Sequence, residues 1–311
     1  MRIRAIDNFR GLSILLMVFF SIICRLGNDL PDQFVHNVPF SVHLGDFVLP
    51  MFLFASGMSI VFFVEKRKGK KRNEYWLDVI ERFGMLAGVA ILLSPFSGGG
   101  MFEMDELMLS ALLFVPTVIL IGFSEVLISG IAILVFVLYF ALLSNGMLPN
   151  FVMNGHYLGG YGVAIFYLPV MLFGVIAAKL IGEIKKLFAI ALVLSIILIA
   201  IIPPYKMSAT PSFMMLSVAI SLGIFVLLDQ IKNVKIEILK YLGRKPLRYW
   251  ILMFVVLIAP IDFYAIGQKT NLPLGFEWVD ALLLSIGSMV LIYAISLGID
   301  WVDRKKFKAL I

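Results

Sequence analysis

Three histidines, His36, His43 and His156, and one cysteine, Cys24, are the whole supply of imidazole and thiol in 311 residues. Two of the histidines precede Asp46, which opens the run Asp46-Phe47-Val48-Leu49-Pro50-Met51-Phe52. A carboxylate at the start of an apolar run is costly against lipid, so Asp46 should face protein and have a partner. His43 shares its helix face, and His36, earlier in the loop, can fold back onto it. A histidine that holds a carboxylate on one ring nitrogen has its tautomer fixed. Its other nitrogen is then free to take a proton or to carry an acyl group. Spacing alone also fits a solvated loop histidine, and without further information that ordinary reading is the heavier. A single cysteine excludes an intramolecular disulfide framework, and so few histidines make a clustered metal site unexpected.

The second set of chemically capable residues is basic. In Ile6-Asp7-Asn8-Phe9-Arg10-Gly11, Asp7 and Arg10 lie on one helix face and can pair at a membrane boundary. Arg10 reads either as a topological anchor or, through its planar fork, as a phosphate contact. Arg82 stands at the foot of an apolar run. The dense stretch Tyr241-Leu242-Gly243-Arg244-Lys245-Pro246-Leu247-Arg248 suits anionic lipid headgroups or a phosphorylated cofactor. On the latter reading Arg10, Arg82, Arg244, Lys245 and Arg248 supply the cofactor-binding set. Asn37, beside His36, together with Asn154, His156 and Tyr157, forms a polar and aromatic group able to hold a sugar; an interfacial loop with aromatic belt residues has the same composition.

The elements that must position these residues are membrane helices. The chain is 61% hydrophobic and only 15% charged, with mean hydropathy +1.01, well beyond what a soluble domain tolerates. Apolar runs place spans at 11–26, 44–64, 83–97, 106–122, 125–144, 163–182, 187–204, 211–231, 248–266 and 279–300. The expectation is an all-α polytopic bundle of about ten spans, forming a single domain over 1–311. Of the 26 Lys and Arg, all but Arg25, Lys206 and Lys269 fall on one side of it. That asymmetry makes both termini cytoplasmic, puts His36 and His156 outside, and accounts for a net charge of +6 without nucleic acid. Met1–Leu26 has the basic head of a secretory signal, but no small-x-small cleavage site follows, so it reads as a retained first span. Proline at Pro50, Pro116, Pro169 and Pro260 predicts kinks. The small residues of Ala55-Ser56-Gly57-Met58-Ser59 predict close helix packing.

The run Ile6-Asp7-x-Phe9-Arg10-Gly11-Leu12, then Met17-Val18, His36, and Asp46-Phe47-Val48-Leu49-Pro50-Met51-Phe52-Leu53-Phe54-x-x-Gly57-x-Ser59, resembles the catalytic-domain family of heparan-alpha-glucosaminide N-acetyltransferase. That pattern is an Asp-x-x-Arg-Gly start, a histidine in the first outer loop, and an Asp-Leu-Val-x-Pro-x-Phe helix start ten residues later. The similarity covers about residues 3–62. Leu242-Gly243-Arg244-Lys245-Pro246-Leu247 resembles, more faintly, a Gly-basic-x-Pro-Leu turn late in related chains. Two departures stand near the inferred centre: Pro39-Phe40-Ser41 replaces the usual Trp-Asn-Gly, and Ser21 stands where many relatives carry Asn.

The resemblance implies a multi-pass enzyme of the cell membrane that takes acetyl-CoA from the cytoplasm and acylates an amino or hydroxyl group of a sugar or glycan on the far side, without a metal. It carries over His36 as the reacting histidine, Asp46 as its partner, and Asp7, Arg10, Gly11 and Pro50 as motif residues. The partners implied are the bilayer, acyl-CoA and the acceptor; a homodimer is also admissible. The rival reading is a proton-coupled transporter or flippase of a polar or lipid-linked metabolite, built on the same Asp46 and histidines.

Overall fold

The computed structural model describes residues 4–35, 41–97, 105–145, 164–206, 209–231, 236–268 and 272–309. The described residues are helical, and their β contact is an isolated parallel bridge between Gly27 and Phe276. In chain order the helices are α1 (Arg4–Leu26), α2 (Val48–Glu65), α3 (Arg72–Leu93), α4 (Glu106–Leu120), α5 (Glu125–Ser144) and α6 (Ala164–Lys179), then α7 (Ile184–Ile201), α8 (Pro211–Gln230), α9 (Glu237–Arg244), α10 (Pro246–Gly267) and α11 (Trp278–Ala309).

Each expected span falls on one of these helices. By length and composition, seven described helices qualify to cross a membrane, and α4 and α6 are shorter apolar helices. The expected span at 83–97 is not among the seven. Its helix, α3, begins at Arg72 and carries Glu74, Asp78, Glu81 and Arg82 before the apolar part starts, so half of it is a polar extension.

The bundle is ordered by burial. The candidate spans of α1, α2 and α8 are 56%, 67% and 72% buried, against 22% for α5 and 17% for both the span containing α7 and that containing α11. α1 and α8 also carry buried Asp7, Ser13, Ser212, Ser217 and Ser221; the outer three present Leu, Ile and Val outward and turn Ser195, Ser285 and Ser296 inward. In lipid, apolar burial gives little driving force between helices, so close backbone contact and hydrogen bonds must supply it. The α2–α6 crossing shows the device: a Cβ on Gly57 would lie 2.0 Å from the Met171 carbonyl oxygen, and one on Gly174 would lie 2.2 Å from that of Phe54. The two backbones touch because both helices offer glycine there.

Proline acts differently at the four expected kinks. Pro116 and Pro169 are inside α4 and α6. Pro50 lies in the first turn of α2, where its missing N–H interrupts no helical bond, so no kink is needed there. Pro260 follows a π-helical turn, Met253–Ile258, within α10. The C-terminal end of α1 is pinned by the segment before α11: Leu274 N donates to Arg25 O at 2.9 Å and Phe276 N to Leu26 O at 3.0 Å.

Candidate active site

The Asp7–Arg10 end of α1 is a crossing point of three elements. Arg10 Nε donates to the Gly243 carbonyl of α9. Its Nη1 donates to Ser59 Oγ of α2 at 3.0 Å, and its Nη2 lies 3.3 Å from Asp7 Oδ1. One guanidinium therefore ties α1, α2 and α9, which the single point charge of a lysine could not do. Asp7 also faces Arg244, whose Nε is 3.7 Å away. Such contacts require α9 to lie on the α1 backbone. A Cβ on Gly11 would meet the Leu239 carbonyl oxygen at 1.9 Å, and one on Gly243 would meet that of Asp7 at 1.8 Å. The Asp-x-x-Arg-Gly start and the late Gly-basic-x-Pro-Leu turn are thus two halves of one joint.

A cavity of about 570 Å³ opens beside this joint. Its wall follows α2 from Phe52, with Trp250 beside it, past Ser59 and the Arg10 bonded to it, to Lys66; Asp7, Arg67, Asp78, Glu81, Arg82, Leu107 and Ser110 also line it. Phe52 to Lys66 is fourteen residues along α2, a reach of about 20 Å at the helical rise. Charge near Lys66 is partly committed. Arg67 Nε and Lys70 Nζ hold Asp78 Oδ2 at 2.6 and 2.7 Å. The hydrogen bond from Lys70, followed by that from Arg67, keeps the Asp78 carboxyl below its ordinary range. Lys66 and Arg82 have no acidic partner among the described residues. The aromatic wall is built by Trp250, stacked on Phe52 with ring centroids 6.3 Å apart. Trp250 is 5% exposed, and its Nε1–H is buried with no acceptor among the described residues.

The expected cofactor-binding set therefore divides. Arg10 and Arg82 line the cavity, and Arg244 stands at its margin on Asp7. Lys245 and Arg248 do not line it. Both donate to Asp300 of α11, which Tyr241 Oη also reaches at 2.6 Å. The pair instead ties the α9–α10 junction to the last helix, because the carboxylate of Asp300 draws these cations to itself.

Asp46 sits at the opposite end. A short 3-10 turn, Leu44–Phe47, leads into α2 and turns its side chain inward, wholly buried. His43 N donates to Asp46 Oδ2 at 2.8 Å, and Lys206 Nζ lies 3.1 Å from Asp46 Oδ1. Lys206 is itself only 9% exposed. His43 does not put its ring on Asp46; the ring Nε2 meets Ser41 Oγ at 2.7 Å, the geometry of a local turn. His36 and Asn37, with Asn154, His156 and Tyr157, lie outside the described residues.

Lys206 was missed by sequence reasoning, which gave Asp46 a histidine. The available signal was its place as one of three basic residues on the side where the positive-inside rule leaves almost none. Its loop is tightly made. Thr210 Oγ1 accepts from Tyr205 N at 3.0 Å and meets Ser212 Oγ at 3.0 Å, and Ser212 Oγ donates to Pro203 O at 3.1 Å. Ala209 adopts φ +45°, a left-handed conformation that a residue with a Cβ takes only when its surroundings impose it.

Residues 2–189 match the family described as heparan-alpha-glucosaminide N-acetyltransferase, catalytic. The chain belongs to that family. It is thereby placed among membrane acyltransferases, and the resemblance noted over 3–62 extends through α6. No match is found among curated proteins. The matched residues include Asp7, Arg10, Asp46 and Arg82; the partners Lys206, Gly243 and Trp250 lie beyond the match.

Proposed function

We propose that this acyltransferase takes an acyl group from acetyl-CoA on the cytoplasmic side and transfers it to an amino or hydroxyl group of a sugar or glycan on the far side of the cell membrane. The observation that carries this reading is the cavity, which runs about 20 Å along α2 from a basic mouth to an aromatic inner end. A coenzyme A thioester has that shape: a phosphorylated head, a slender amide-bearing arm and a small reactive tip. Arg82 and Lys66 suit the phosphates, Phe52 and Trp250 suit the arm, and the unmatched Trp250 N–H suits an amide carbonyl of it. With basic residues grouped at the mouth and Arg25 and Lys206 at the other end, both termini are cytoplasmic in this reading. The count of about ten spans belongs to the same reading.

Asp46 lies six residues beyond Phe52, about 9 Å further out, and directs the reaction to the far side. His36 is the reacting group. The acceptor nitrogen or oxygen attacks the thioester carbonyl carbon, the C–S bond breaks, and the proton lost by the acceptor passes through the imidazole to the departing sulfur. If the histidine instead accepts the acyl group first, the same atoms balance over two steps. The test is thiol release from acetyl-CoA by the purified protein with glucosamine as acceptor, together with calorimetric titration of acetyl-CoA alone. Binding with transfer supports the reading. Absence of acetyl-CoA binding, with the protein monodisperse, overturns it.

A further inference from the structure

We infer that Lys206 is a positioning residue of the transfer reaction: its ammonium, held in place by the Pro203–Ser212 loop, fixes and charge-balances Asp46 at the outer end of the bundle. The inference rests on the acyltransferase reading proposed above and adds to it a residue from outside the family match. Three observations converge on it. Asp46 is wholly withdrawn from water and Lys206 nearly so, with Nζ and Oδ1 3.1 Å apart. A carboxylate in that position is retained as an anion only with a cation and hydrogen bonds around it. The described residues of the loop that presents Lys206 are closely bonded: Thr210 and Ser212 are buried and hold Pro203 and Tyr205, the Lys206 carbonyl accepts from Ala209 N at 2.7 Å, and Ala209 has a positive φ. An ordinary interfacial loop needs none of this.

The surrounding groups belong to other elements. Cys24 of α1 lies within electrostatic reach of Lys206, Arg25 and Asp46, and Tyr167 of α6 within reach of Asp46, Tyr139 and Glu106. His43 contributes its backbone N–H, while its ring is on Ser41. Lys206 thus sits where charge from α1, α6, the turn before α2 and the α7–α8 loop meets, with its ammonium on the carboxylate.

The experiment compares the full-length protein with Lys206→Met, Lys206→Gln and Lys206→Arg, reading thiol release from acetyl-CoA with glucosamine across pH. Methionine keeps the stem and removes the charge; glutamine keeps a hydrogen-bond donor and serves should the methionine variant fail to fold. Without the ammonium the reaction centre loses a fixed charge, so the acidic limb of kcat should move by about one pH unit or more. At neutral pH kcat should fall about tenfold or more while KM for acetyl-CoA stays within about twofold, because the cavity is untouched. Arginine should restore the limb to its original position. A neutral variant that keeps the wild-type rate and profile overturns the inference and leaves the transferase reading standing. Loss of rate at every pH without movement of the acidic limb also overturns it, assigning Lys206 to structure alone. A wild-type protein that binds acetyl-CoA but transfers nothing to glucosamine removes the transferase premise and the inference with it.

Discussion

The two ends of the α1–α2 pair hold their carboxylates in different ways. At one end Asp7, buried itself, is one member of a network in which Arg10 spreads its donors over three helices and the half-exposed Arg244 approaches at 3.7 Å. At the other end Asp46 is wholly buried against Lys206. A carboxylate shared between two guanidinium groups keeps one when the other is removed. Breaking a sealed pair strands a charge and costs about 3–5 kcal/mol. The motif residues of this family therefore divide by role. The Asp7–Arg10 set joins helices and frames the cavity, while Asp46 is held by a buried ion pair.

The largest expected effect is at the outer end. His36→Ala should lower turnover at least about a hundredfold with acetyl-CoA binding intact, the scale of a positioned acid-base group. Asp46→Asn should be comparable or milder. His43→Ala is the control, since its ring is satisfied by Ser41. Steady-state thiol release measures all three, and a collapse in His43→Ala with His36→Ala unharmed moves the reaction centre to the other histidine.

At the inner end the same comparison is broken through the backbone. Gly243→Ala puts a carbon 1.8 Å from the Asp7 carbonyl oxygen, so α9 must move off α1 and take the Gly243 carbonyl away from Arg10. Overpacking of this kind costs about 1–3 kcal/mol. The melting temperature in detergent should fall, whereas Gly84→Ala, with open space around its Cβ, should leave it unchanged. Equal melting temperatures for the two variants would show that the joint is looser than its geometry.

Much of the helix order is legible in the sequence because apolar runs and basic loops are local signals. The joint and the pair are not, and the reason is separation along the chain. Asp46 and Lys206, like Arg10 and Gly243, are more than a hundred residues apart, and in each case one partner lies outside the family match. Local spacing offered His43 to Asp46, but a 3-10 turn replaced the expected α-helical face and brought its backbone rather than its ring to the carboxylate. Lys245 and Arg248 looked like phosphate ligands because Asp300, their partner, is some fifty residues away on α11. Pro50 resembled a kink only while the start of α2 was placed at 44.

The cations of the mouth sharpen the contrast, since some are committed to structure and others are not. Arg82→Ala should weaken acetyl-CoA binding about tenfold or more, as a charge-assisted phosphate contact contributes about 1.5–3 kcal/mol. The effect should shrink with added salt. Lys245→Ala should leave affinity near wild type and lower thermal stability instead, because its charge serves Asp300. Calorimetry and melting curves on the two variants decide it; the opposite pattern would return the coenzyme head to the α9–α10 turn.

The smallest effect expected is the most selective. Trp250→Phe keeps an aromatic ring against Phe52 but removes the indole N–H together with the volume of the fused ring. That N–H is buried without an acceptor among the described residues, so losing the desolvated donor offsets part of the lost packing and the melting temperature should fall only slightly. If the pantetheine arm supplies the acceptor, acetyl-CoA affinity should nonetheless fall, by the about 0.5–1.5 kcal/mol of a neutral hydrogen bond, or roughly two- to tenfold. Affinity lost with stability little changed is what a donor reserved for a ligand produces. A packing role would lower both, and a drop in stability with affinity intact would show that the indole has its partner inside the protein and that the arm follows another wall of the cavity.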